Sequence, residues 1–134
     1  LGDLDVNRSL SVSILRAIAI SLAALVPTLS QAETFLFMAE EHGCIWCARW
    51  DAEVADAYHK TPEGRAAPLK RFDIHGEAPE GVDFAQRVRF TPTFILVRDG
   101  AEIDRIEGYP GEDFFWGLLD MMLERADVSV EETG

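Results

Sequence analysis

Cysteine is scarce in this chain: there are two in 134 residues, Cys44 and Cys47, set three apart in Gly43-Cys44-Ile45-Trp46-Cys47. Two cysteines exclude a framework of several disulfides and any four-cysteine zinc or iron–sulfur centre. Positive charge is scarce too. Twelve Lys and Arg against 24 Asp and Glu leave a net charge of −12, and an acidic surface repels phosphate backbones, which excludes nucleic acid as a partner. The chain also lacks an apolar run that could span a bilayer. Its longest, Ala17 to Leu29, has 13 residues, where about 20 are needed. No internal repeat and no sign of a second domain interrupts the sequence. What remains is 48% apolar and 10% aromatic residues, a composition that suits one packed globular domain.

Arg8 and Arg16 precede that apolar run, and Ser30-Gln31-Ala32 follows it with small residues at both recognition positions of a signal-peptidase site. Residues 1–32 therefore read as a secretory signal peptide cleaved before Glu33. A globular domain over 33–126 and an acidic tail over 127–134 follow. Secretion places the two cysteines in an oxidising compartment, where disulfides persist. A disulfide closing so short a loop constrains the unfolded chain little, so reactivity explains the spacing better than stability does.

Thr34-Phe35-Leu36-Phe37-Met38 is a continuous apolar run of strand length. From Cys44 to about Lys60 the pattern is helical, with Trp46, Trp50, Val54 and Tyr58 recurring every four residues. Thr61-Pro62-Glu63-Gly64 reads as a break. Leu69 to Ile74 alternates as a second strand, His75 to Gly81 is a loop, and Phe84 to Val88 predicts a short helix. Thr93 to Arg98 is the strongest strand signal. Asp99-Gly100 is a hairpin turn, Glu102 to Glu107 the returning strand, and a final helix runs from Glu112 to near Ala126. The polar tail beyond it reads as frayed. The order β-α-β-α-β-β-α predicts an α/β sandwich with two parallel strands and a hairpin.

Cys44 falls at the start of the first helix. There its sulfur meets unpaired backbone N–H groups and the positive end of the helix dipole, which marks it as the nucleophile of a redox dithiol. A thiol of pKa about 6.5 is roughly 75% thiolate at pH 7, against roughly 3% at about 8.5. Falling nucleophilicity cancels most of that gain, so the larger effect is a better leaving group and a stabilised reduced form. Cys47, one turn on, is the expected resolving thiol. Gly43 allows a partner backbone to approach. Ile45 and Trp46 offer apolar surface, although Trp46 equally fits the core by its spacing.

This order, with Cys44-Ile45-Trp46-Cys47 opening the first helix and Phe90-Thr91-Pro92-Thr93-Phe94-Ile95 opening the hairpin, resembles the thioredoxin family in a minimal, glutaredoxin-like form. The resemblance implies a thioredoxin fold and a protein thiol–disulfide oxidoreductase that needs no cofactor. It implies that Pro92 is cis and faces the disulfide, and that the backbone at Thr91 and Pro92 pairs with an incoming substrate. The aliphatic-aromatic pair between the cysteines is similar to that of the periplasmic thioredoxins that accompany bacterial sulfur-oxidation enzymes. That likeness implies a monomer in the periplasm that reduces disulfides or mixed disulfides on a partner protein such as a sulfur-carrier complex. Its electrons would come from a membrane thiol transporter.

The sequence departs from ordinary thioredoxins where they bury an aspartate, six residues before the first cysteine; here that position is Met38. Glu40 and Glu41, the nearest acids, read as solvated loop residues, His42 as an exposed loop histidine and Arg71 as a surface residue. Three other readings compete. The Ile-Trp dipeptide and the missing acid suit an oxidant or isomerase of disulfides. His42, Cys44 and Cys47 would offer ligands to copper or zinc, although His59 and His75 have no register with them. The third is an interaction module without catalysis. Haem attachment is excluded because Ala48 stands where Cys-x-x-Cys-His needs its histidine.

Overall fold

Alternating side chains decide the two faces of the sheet. The structure, a computed structural model, describes residues 32–131; apart from Ala32, the expected signal peptide lies outside the described residues. Strand β1 (Thr34–Glu40) runs through the middle. It pairs in parallel with β2 (Leu69–Asp73) and antiparallel with β3 (Thr93–Arg98), which pairs antiparallel with β4 (Ala101–Glu107), giving the order β2-β1-β3-β4. Leu36 lies opposite Leu96 and Met38 opposite Phe94, and these four build one core. Phe37 lies opposite Ile95, and these face the other side with Val97. A strand buried on both faces must be apolar throughout, which is why β1 and β3 read as unbroken hydrophobic runs.

Helix α1 (Ile45–Trp50) passes into a π-helical segment (Asp51–Ala55) and then α2 (Asp56–Tyr58), with αR backbone at each junction. A spacing of four overshoots the 3.6-residue α turn. The wider π turn absorbs that excess and keeps Trp50, Val54 and Tyr58 buried toward the sheet. The final helix, α4 (Glu112–Arg125), covers the same face with Phe115, Leu119, Met122 and Leu123. Trp50 meets Phe94 and Phe115 with ring centroids 5.4 and 5.7 Å apart. Each such side chain taken fully out of water contributes about 1.5–3 kcal/mol, so this aromatic cluster anchors both helices to the sheet.

Three expectations need correction. Thr61-Pro62-Glu63-Gly64 is not a break but the start of a further helix, α3 (Pro62–Ala66): the Thr61 hydroxyl accepts the Gly64 N–H at 3.0 Å, and Pro62 occupies the first turn, where its missing N–H costs nothing. Phe84 to Val88 forms no helix. Its i, i+4 apolar spacing instead lays Phe84 and Val88 against Phe37, Ile95 and Val97 from an irregular segment. The backbone groups of that segment go to β4: Asp83 bridges Ala101, the Ala85 N–H donates to Glu102, and Arg105 donates to the Gln86 carbonyl. The observed order is therefore β1-α1-α2-α3-β2-β3-β4-α4, with the π-helical segment between α1 and α2, helices on one face and a loop on the other.

The third correction concerns the tail. Helix α4 ends on Asp127 at φ 53°, with the Val128 N–H returning to the Leu123 carbonyl at 3.0 Å. That reversal packs Val128 and Val130 against the core, so the described part of the tail, as far as Glu131, is attached rather than frayed.

Candidate functional site

Because β1 and β3 run antiparallel, the end of one lies beside the start of the other, with Ala39 opposite Thr93. The loop after β1 carries both cysteines, and the segment before β3 carries Thr91 and Pro92. Sheet register alone thus brings together residues far apart in sequence. Gly43 makes the turn at φ +78°, a left-handed conformation that a side chain would strain. The chain then enters α1 with Cys44 as its N-cap. The Cys44 sulfur accepts the Cys47 N–H at 3.1 Å, and no carboxylate stands in the first turn to oppose the dipole. The Cα atoms of Cys44 and Cys47 are 5.3 Å apart and the two are joined as a disulfide. Cys44 is half-buried, whereas Cys47 is 4% exposed and belongs to the core. An attacking group therefore reaches Cys44 first.

Exposed apolar side chains follow Cys44 in the chain and precede Thr91. Ile45 is 73% and Trp46 48% exposed, so Trp46 lies on the surface rather than in the core, with the Arg49 guanidinium 5.8 Å from its ring centroid. Phe90, which sequence reasoning passed over, is 59% exposed beside Thr91. The Thr91–Pro92 peptide bond is cis, and Pro92 is buried with its carbonyl accepting the Gly108 N–H at 2.7 Å.

A groove of about 570 Å³ opens beside the disulfide, lined by Cys44, Ile45 and Cys47 together with Glu40, Glu41, Asp51 and Asp73. Its acids are not the free loop residues expected. Arg71, placed by β2 beside Met38, grips Asp51 with two hydrogen bonds of 2.8 and 3.1 Å and also binds Glu40. The two carboxylates hold its guanidinium charged, pushing its pKa up. Glu41 accepts the Thr91 hydroxyl at 2.6 Å on one oxygen and meets His75 Nε2 at 2.9 Å with the other. The Thr91 hydrogen bond, and after it His75, lowers the Glu41 pKa. Met38 itself is fully buried among apolar neighbours, so no acid lies beneath Cys47 in that strand. His42 is exposed as expected. Among the described residues no group of three or more His, Cys, Asp or Glu is arranged to hold a metal ion.

Sequence signals could not have found the partners of Glu41 and Arg71. They join residues 50, 34, 31 and 20 positions apart, and no local pattern encodes such pairs.

A partly exposed cysteine at a helix N-terminus, bonded to a buried one a turn later, can exchange with an external disulfide. The family description "Thioredoxin-like domain" matches residues 23–123, and this chain belongs to the thioredoxin-like family as a thiol–disulfide oxidoreductase. Among solved structures it is similar to the reduced form of the periplasmic thioredoxin SoxS from Paracoccus pantotrophus. The two are 50% identical with a TM-score of 0.69, over 70% of this chain and 99% of that one. No curated protein sequence matches.

Proposed function

We propose that this protein is a periplasmic reductase of protein disulfides. Its substrate would be a partner of the sulfur-oxidation machinery, such as a sulfur-carrier complex held with its thiol free. The 50% identity to a periplasmic thioredoxin carries this reading. The signal-like residues 1–32, followed by a domain over 33–126 and an acidic tail over 127–134, support the compartment.

In the reduced protein the Cys44 thiolate attacks one sulfur of the substrate disulfide. The S–S bond breaks, a mixed disulfide forms, and the substrate's other sulfur leaves as a thiolate that takes up a proton. Cys47, once deprotonated, attacks Cys44 Sγ. The mixed disulfide breaks, the second substrate thiol departs, and Cys44–Cys47 closes as a disulfide. Two electrons have then passed to the substrate. A dithiol on a membrane thiol transporter returns them by the same exchange in reverse. Gly43, Ile45, Trp46 and Thr91, next to the buried Pro92, form the contact surface for the partner chain, and the protein acts as a monomer.

Equilibration of the Cys44/Cys47 couple against glutathione and dithiothreitol tests the direction. A potential of about −250 mV or lower, as in thioredoxins, is expected of a reductase. A value of about −180 to −120 mV, as in isomerases and oxidants, overturns it in favour of disulfide formation or isomerisation.

A further inference from the structure

Thr91 has a backbone N–H and a carbonyl with no hydrogen-bond partner among the described residues. Both belong to an irregular segment between exposed Phe90 and the start of β3. Unpaired backbone groups beside a reactive disulfide form a template on which an extended partner segment can add. Such a template works only if its backbone is held in one orientation, because ordering it during binding would subtract from affinity.

The side chain of Thr91 is held. Its hydroxyl donates to Glu41 Oε1 at 2.6 Å, within the range of a charge-assisted bond. The other oxygen of Glu41 is occupied as well, by His75 Nε2 at 2.9 Å. The backbone N–H of His75 in turn donates to Asp73 Oδ1 at 2.8 Å, which fixes the turn after β2. With both oxygens engaged, the carboxylate cannot rotate. Glu41 also stands in the loop that delivers Cys44 and lines the groove beside it. One side chain therefore ties the cysteine loop to the segment before β3.

We propose that Glu41 is a positioning residue for the partner chain. It sets the orientation of the Thr91 peptide relative to Cys44 through the Thr91 hydroxyl, with His75 as its brace. The proposal rests on the reductase reading and deepens it. Glu41 acts by holding the Thr91 hydroxyl, and glutamine keeps that contact with only the charge assistance lost: its amide oxygen accepts from Thr91 and its NH₂ reaches His75.

Insulin reduction, followed by full kinetics for the wild-type chain and for E41A, E41Q, T91V and E41A/T91V, tests this. E41A and T91V should each lower kcat/KM roughly tenfold, the upper end of what one ordinary hydrogen bond contributes. The loss should lie mainly in KM. The double variant should be no worse than either single one, and E41Q should retain most of the activity. Additive losses, a loss confined to kcat, or an E41Q as impaired as E41A would overturn the proposal. Thermal midpoints of the variants distinguish a folding defect from lost positioning, since a merely structural role would lower the midpoint of E41A without a KM effect rescued in E41Q. The reduction potential of the wild-type Cys44/Cys47 couple reports on the dithiol alone, so failure of the reductase reading appears there and not in the variant series.

Discussion

The Tyr109 hydroxyl donates to Glu53 Oε2 at 2.5 Å, and Glu53 Oε1 accepts the Arg49 Nε–H at 2.9 Å. The first bond crosses from the turn before α4 to the π-helical segment. The second carries the constraint along the helix to Arg49, whose guanidinium lies against the exposed Trp46 ring. Tyr109 is nearly buried, and burial together with the neighbouring Glu53 carboxylate pushes its pKa up, so the phenol stays protonated as a donor. A chain of contacts thus runs from Tyr109 through Glu53 and Arg49 to the exposed indole.

Trp46→Ala should raise KM for a protein disulfide by roughly 5- to 30-fold, the range for an exposed aromatic anchor, and leave the thermal midpoint nearly unchanged. Glu53→Ala should raise it by less, because the ring remains but loses its Arg49 stay. Steady-state insulin kinetics beside a melting curve check both. Equal KM values for wild type and W46A would remove the indole from the contact surface.

The two cysteines should fail differently. Cys44→Ser abolishes insulin reduction to background, since the buried Cys47 cannot meet a substrate sulfur. Cys47→Ser leaves Cys44 able to attack but unable to resolve, so it accumulates a mixed disulfide. Intact-mass spectrometry under non-reducing conditions reads the adduct. Adduct formation by C44S in place of C47S would reverse the two roles.

Gly64 has no room for a side chain. A Cβ there would lie 1.8 Å from the backbone oxygen of Tyr58, and backbone cannot turn aside as the end of a long side chain can. Gly64→Ala should cost about 1–3 kcal/mol by overpacking, measured as a lowered urea midpoint. Dithiol reactivity should survive in the folded fraction. An unchanged midpoint would mean that the Tyr58–Gly64 turn can open without loss.

Acid should weaken the fold through Glu41 and Glu53. Hydrogen bonds from Thr91 and then His75 lower the pKa of the first; Tyr109 and then Arg49 lower that of the second. A carboxyl whose folded pKa lies below its unfolded value binds protons more readily in the unfolded chain, so stability rises with pH across that interval. The contribution is whole above the ordinary value of 4.5 and is lost as pH falls through the lowered one. Urea midpoints from pH 6 to about pH 3 should therefore decline, and E41Q/E53Q should decline less steeply. Parallel curves would exclude these two groups as the source.

Much of this was legible in the sequence. The apolar runs of β1 and β3, the Asp99-Gly100 turn and the Cys44/Cys47 spacing are local signals, each set by near neighbours along the chain. Phe84 to Val88 misled because an i, i+4 apolar pair suits a helix and equally suits an irregular loop lying over a sheet. The choice was made by β4, whose Glu102 and Arg105 satisfy the backbone that a helix would have satisfied internally. Thr61-Pro62 misled in the other direction, since the residues that stop one helix also cap the next.

Sequence by itself determined the chemistry. Two thiols three apart, where the pattern reads as a helix start, point to a redox dithiol from local signals alone. Only the tertiary structure decided what surrounds that dithiol. Glu41 meets Thr91, Arg71 joins Glu40 to Asp51, and Tyr109 reaches Glu53 because antiparallel register and helix packing bring distant loops to one end of the sheet. Hydrogen bonds of this kind depend on positions a few ångströms apart in space, and a one-dimensional pattern holds no record of them.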